Sequence, residues 1–168
     1  MKKVIVLLVC AVVLLVGDTV LDKSGIELPS FGAKNDYEQG IAFYNNKEYD
    51  KAAELFKKVC DGIEVRGCNN LGVMYDKGNG VEKNEQKAAE LFKKVCDGGE
   101  MSGCGRLGIM YAIGNGVEED LGKAAELLKK ACDGGERNAC RALDIIYAKG
   151  NGAEKDLDKT DDLYKKSL

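Results

Sequence analysis

Six of the seven cysteines in this 168-residue chain fall in a fixed rhythm. Cys60 and Cys68, Cys96 and Cys104, and Cys132 and Cys140 each stand eight positions apart, and the pairs recur every 36 residues. Two chemistries suit such residues. They can close disulfides in an oxidising compartment, or remain buried thiols that pack as small apolar groups. Six cysteines admit many pairings, but the rhythm favours the three local ones. Cys10 stands apart, inside an apolar N-terminus.

The other reactive side chains give little to build an enzyme from. There is no histidine, so the usual general base, zinc ligand and pH switch are all missing. The serines are Ser24, Ser30, Ser102 and Ser167, and none has a lysine three residues on, so no Ser-x-x-Lys nucleophile unit exists. Glu54, Glu90 and Glu126 recur four residues before Lys58, Lys94 and Lys130. That spacing suits ion pairs on a solvated helix face better than acid–base chemistry. Formal net charge is −3, with both signs spread along the chain, so no basic patch invites nucleic acid. Neither a metal nor a cofactor is expected.

The elements that carry these residues repeat. Lys51-Ala-Ala-Glu-Leu-Phe-Lys-Lys-Val-Cys-Asp-Gly62 returns at Lys87, at Lys123 and, decayed, at Lys159. A fixed step of this size marks units that bury their apolar faces only against neighbours. The first pair of helices is expected from Asp36, with Tyr37, Ile41 and Tyr44 on one stripe and Gly40 and Phe43 on another. Its second helix spans about Tyr49 to Cys60. Later first helices are placed at Val65–Lys77, Met101–Ile113 and Asn138–Lys149. Gly72 and Gly108 inside them each cost roughly 1 kcal/mol against alanine, which predicts close helix approach there. Asp144 takes the same place in the last unit. Asn84, Asp120 and Asp156 occupy N-cap positions of second helices. Asp61-Gly62 reads as a helix stop with Gly62 at positive φ. Gly78-Asn79-Gly80, Gly114-Asn115-Gly116 and Gly150-Asn151-Gly152 form shaped loops. A phosphate cradle is the sharper alternative, but no Gly-Lys-Ser/Thr follows.

Upstream, Met1-Lys2-Lys3 and the apolar run Val4–Val16 read as a secretory signal over residues 1–17. The cleavage site is poor, so an uncleaved membrane anchor is the alternative. Residues 18–35 form a linker, with Gly25, Pro29, Ser30 and Gly32. Residues 36–168 form an array of about four helix pairs. The last is a capping helix, with Thr160-Asp161 in place of Ala-Ala and Leu168 where the next cysteine would fall.

The 36-residue step, the Gly-Asn-Gly-Val insertion, the Lys-Ala-Ala-Glu-Leu-Phe-Lys-Lys-Ala/Val-Cys core and the cysteine spacing resemble the Sel-like repeat (SLR) family. The resemblance is to its disulfide-bearing branch, the Helicobacter cysteine-rich proteins, and covers about Asp36 to Lys166. It implies an all-α, tetratricopeptide-like α/α superhelix stapled by disulfides, secreted or periplasmic. It also implies penicillin binding with weak β-lactamase activity, although the residues themselves supply neither a serine unit nor zinc ligands. Other relatives act as adaptors, which implies a non-catalytic scaffold for a protein or peptide.

By the tetratricopeptide analogy, first helices line the binding side. Leu71, Tyr75 and their repeats face the core, and the positions between them face a groove. These are Tyr37, Ile41 and Tyr44, then Asn69, Val73 and Asp76, then Gly105, Ile109 and Ile113, then Arg141, Ile145 and Lys149. Val73, Ile109 and Ile145 would form an apolar stripe flanked by Asn69 and Arg141. The alternative is that these side chains are core. An exposed stripe suits an extended peptide, or a β-lactam or other cell-wall-like ligand.

Overall fold

A computed structural model of the chain describes residues 31–62 and 64–149. The apolar N-terminal run, the linker through residue 30, and the last loop, the Asp156 cap and the closing helix lie outside the described residues. Among the described residues there are seven helices and no strand. They are α1 (Phe31–Asn45), α2 (Tyr49–Asp61), α3 (Val65–Lys77), α4 (Glu85–Asp97), α5 (Met101–Ile113), α6 (Leu121–Asp133) and α7 (Arg137–Lys149). The first opens at Phe31, ahead of the expected Asp36. Each helix packs on the next, and α5 also contacts α7.

Second helices are amphipathic by design of the repeat. Ala52, Ala53, Phe56, Val59 and Cys60 are buried in α2, and Ala88, Ala89, Phe92, Val95 and Cys96 are their counterparts in α4. Leu128 replaces the phenylalanine in α6 and is fully buried. Burying a side chain of this size contributes about 1.5–3 kcal/mol. The preceding first helix closes on this face at its glycine. Gly72 and Gly108 sit against the large residue between: a Cβ on Gly72 would lie 2.8 Å from Phe92 Cε1, and one on Gly108 2.8 Å from Leu128 Cγ. The close approach expected from sequence is therefore present at both. Gly40 repeats it against Phe56 in the first pair.

Helix ends follow the expected chemistry with one change. Asn84 and Asp120 each accept the backbone N–H of the residue three on, Lys87 and Lys123, both at 2.9 Å. Glu48 makes no such cap; its carboxylate takes Lys51 Nζ at 2.6 Å instead. The stop glycine is the change. Gly62 has φ −76°, and the positive φ falls one residue later in the other units, at Gly99 (88°) and Gly135 (95°). There Glu100 N–H reaches back to the Val95 carbonyl at 3.1 Å, so the second glycine of Gly-Gly makes the turn.

Loops and lysines join the units. Asn79 Nδ2 donates to Tyr44 Oη at 3.4 Å, and Asn115 Nδ2 to Asp76 Oδ1 at 3.0 Å. Gly80 and Gly116 press on the backbone that begins α2 and α4, at Tyr49–Asp50 and Glu85–Gln86, where any side chain would collide. Gly-Asn-Gly is thus a stacking device, and those helix starts are covered by it rather than open to an anion. Lys58, Lys94 and Lys130 do not make the expected i,i+4 pairs with Glu54, Glu90 and Glu126. Lys58 reaches Asp36 at 2.7 Å. Lys94 Nζ donates to the Cys60 carbonyl at 2.7 Å, where a cation suits a helix C-terminus. Lys130 Nζ lies 3.9 Å from Cys96 Sγ. Same-helix pairing occurs one residue earlier, between Lys93 and Asp97 at 2.5 Å and between Lys129 and Asp133 at 2.7 Å.

Candidate functional site

The six cysteines of the repeats are structural. Cys60–Cys68, Cys96–Cys104 and Cys132–Cys140 are disulfides, with Cα separations of 4.5, 4.5 and 4.7 Å. Each joins the end of a second helix to the next first helix. The sulfurs are buried, and the backbones meet because Gly67 and Gly103 admit Val59 and Val95, with room for no Cβ (2.7 and 2.6 Å). Sequence reasoning missed these two glycines. Their position one residue before Cys68 and Cys104 was the available signal.

No catalytic constellation assembles among the described residues. There is no grouping of three or more His, Cys, Asp or Glu able to hold a metal. The displaced pKa values belong to exposed pairs and a cap. Backbone N–H donation from Lys123, then its ammonium, holds the Asp120 carboxyl below the usual range. Hydrogen bonding to Glu85, Asp97 and Asp120 raises Lys83, Lys93 and Lys123 respectively. An open cleft of about 340 Å³ lies between α4 and α6, floored by Leu107 and Tyr111 and edged by Lys93, Lys123, Glu126 and Lys130. Its lysines and carboxylates are of mixed sign.

The first-helix face is different. Ile109, Ile113 and Ile145 are 38%, 65% and 54% exposed and are the exposed large aliphatic side chains among the described residues. Ile109 and Ile113 share a stripe of α5 with Ser102 and Arg106, spaced four, three and four residues apart. Arg141 is exposed on α7, one turn before Ile145. Of the expected groove residues, Val73 is half-buried and packs at the edge of the Phe92, Leu107 and Met110 cluster. Asn69 is half-buried, and its Oδ1 is buried without a hydrogen-bond partner.

Several flanking positions are engaged elsewhere. Tyr37 packs its ring on Phe56 and lies under Arg66, and its hydroxyl accepts from Asn70 at 3.3 Å. Ile41 packs against the first core cluster. Tyr44 and Asp76 hold the loop asparagines. Gly105 is buried rather than groove-facing: a Cβ there would touch Ala139 Cβ at 3.5 Å and Ala131 Cβ at 3.6 Å. The side chain of Lys149 lies outside the described residues.

Comparison with known proteins agrees with this architecture. The Sel1 repeat model matches residues 65–100 and 102–136. HcpC of Helicobacter pylori strain J99, whose name carries a provisional β-lactamase label, is 36% identical over 83 residues. That match takes in 49% of this chain but 26% of HcpC, so the chain spans about a quarter of that relative. A protective antigen of uropathogenic Escherichia coli displaying an SLR fold superposes with TM-score 0.77 at 29% identity, covering 80% of this chain and 30% of that one. A Sel1 repeat protein from Oxalobacter formigenes gives 0.72 at 30%, covering 78% and 54%. Helicobacter pylori cysteine rich protein B gives 0.53 at 25%, covering 67% and 95%. Residues 65–100 and 102–136 are Sel1 repeats, and the 36-residue step with one disulfide at each of three successive repeat junctions fits the disulfide-bearing branch of the Sel-like repeat family.

Proposed function

We propose that the chain is an extracytoplasmic, non-catalytic scaffold that holds a ligand on the exposed face of its first helices. One observation carries this: Ile109, Ile113 and Ile145 are exposed on first helices, although the other large apolar residues among the described ones are buried or half-buried. An apolar stripe with a few polar anchors suits an extended peptide or a cell-wall-like ligand. Three disulfides support an oxidising compartment, in keeping with the export signal read in residues 1–17. The double variant Ile109→Asp with Ile145→Asp tests the reading. It should keep its helical circular dichroism and lose capture of peptide or labelled penicillin. Unfolding, or capture at the wild-type level, would count against it.

A second reading, β-lactam binding with slow hydrolysis, is favoured by the name of HcpC alone. Nitrocefin turnover by the oxidised protein measures it. The absence of histidine and of a Ser-x-x-Lys unit leads us to expect no turnover above the uncatalysed rate.

A further inference from the structure

The cleft between α4 and α6 borders on a disulfide. Cys96 contributes to its lining, as does Lys130 from the facing helix. Lys130 Nζ stands 3.9 Å from Cys96 Sγ. Two other lysines of the cleft are neutralised, Lys93 by Asp97 and Lys123 by Asp120. Lys130 makes no ion pair among the described residues, so its charge is spent on the sulfur. One unit earlier the same lysine is used differently. Lys94 also lies 3.9 Å from Cys60 Sγ, but its short bond, at 2.7 Å, goes to the Cys60 carbonyl.

Disulfides exchange when a thiolate attacks one sulfur and expels the other, and access decides which sulfur is attacked. Cys96 is 3% exposed and Cys104 is 0% exposed, so a reagent from solvent meets Cys96 Sγ first. A neighbouring ammonium draws the anionic reagent in and favours a thiolate at that sulfur. The expelled sulfur is provided for as well. Cys104 Sγ lies 3.8 Å from the Cys96 carbonyl oxygen, which accepts its S–H once the thiol is protonated.

We infer that Cys96–Cys104 is a thiol–disulfide exchange site, entered through the α4–α6 cleft by a dithiol reductant that attacks Cys96 Sγ beside Lys130. The first thiolate forms a mixed disulfide with Cys96 as the Cys96–Cys104 bond breaks. The electron pair leaves on Cys104 Sγ, which takes a proton from water. The reductant's second thiol then closes on its own sulfur and releases the Cys96 thiolate to Lys130. The reductant loses two electrons and the bridge gains them, so the joint between α4 and α5 is unstapled. Lys130 is here a positioning residue.

The oxidised full chain, treated with limiting dithiothreitol, alkylated and mapped by mass spectrometry, tests this. Cys96–Cys104 should open faster than Cys60–Cys68. In Lys130→Met its opening should slow about fivefold at low salt, roughly what one unit charge at about 4 Å exerts even in water. Cys60–Cys68 should keep its rate, Lys130→Arg should restore the lost one, and added salt should narrow the gap. Glutathione, a monothiol, should leave its mixed disulfide on Cys96 of the wild type, a readout that stands even if a variant folds poorly. Equal opening of the two bridges, a Cys96–Cys104 rate indifferent to Lys130→Met, or glutathione on Cys104 would each overturn the inference. None of these outcomes bears on the scaffold reading, which does not use the cleft.

Discussion

Position for position, α2, α4 and α6 are near copies, whereas α3, α5 and α7 agree only where they are buried. Second helices keep Lys-Ala-Ala-Glu-Leu and the terminal cysteine in every described unit. First helices keep cysteine and leucine at Cys68 and Leu71, Cys104 and Leu107, Cys140 and Leu143. Between them they change from Asn69 to Gly105 to Arg141, and from Val73 to Ile109 to Ile145. A second helix must serve two neighbours with the same sockets, so its sequence is constrained on most sides. Exposed first-helix positions such as Ile109, Ile113 and Ile145 are less constrained by neighbours and are free to specialise. If the proposed function holds, seams carry stability and the exposed first-helix residues carry recognition, and variants of the two kinds should separate cleanly.

The largest effect is expected at a seam staple. Replacing Cys96 and Cys104 together by alanine reopens a nine-residue loop, which on the chain-entropy model costs about 2.6 kcal/mol. Thermal melts of the variant, and of the wild type with reductant, should both shift down. A melt that ignores reductant would remove the staples from the stability argument.

Next come two glycines on one helix that should respond in opposite directions. Gly108→Ala drives a Cβ to 2.8 Å from Leu128 Cγ and 3.2 Å from Leu128 N. Overpacking of this kind costs about 1–3 kcal/mol, which exceeds the roughly 1 kcal/mol that alanine gains in a helix. Gly105→Ala meets only ordinary contacts at 3.5 and 3.6 Å, so the propensity gain should raise the melting temperature. Equal responses would mean that the close approach at Gly108 does not bear on stability.

The smallest effect distinguishes two caps. Asn84→Ala should cost α4 about 1 kcal/mol at any pH. Asp120 caps α6 with a carboxyl held below its ordinary value by the Lys123 N–H and ammonium. Because its folded pKa is depressed, its contribution is present above the unfolded value and fades as pH falls through the folded one. In melts across that acidic range, the gap between wild type and Asp120→Ala should narrow, while the Asn84→Ala gap holds. A pH-independent Asp120 gap would mean that the charge is not part of the cap.

Much of this was legible in the sequence because its causes are local. Caps at Asn84 and Asp120, disulfides spanning eight positions and the glycine sockets for Phe92 and Leu128 follow from helical spacing within one unit or one step. What sequence reasoning misjudged depends on how one unit lies on the next. Lys94 turns to the Cys60 carbonyl rather than to Glu90, because a helix end 34 residues upstream comes within its reach. Gly105 is buried because α7 closes over it. Exposure of Ile109 and Ile145, left open between groove and core by periodicity, is decided by the same stacking.

The lysine and asparagine ties between units have a consequence for how such a chain changes length. Lys94 to Cys60, Asn79 to Tyr44 and Asn115 to Asp76 each connect one unit to its immediate predecessor and to nothing farther away. A duplication of one 36-residue step would therefore arrive with its own staple, its own loop contact and a ready socket on the unit before it. Existing joints would stay as they are, while the outer stripe would lengthen by one helix with fresh positions to vary. The architecture grows by whole steps, like a ruler gaining marks.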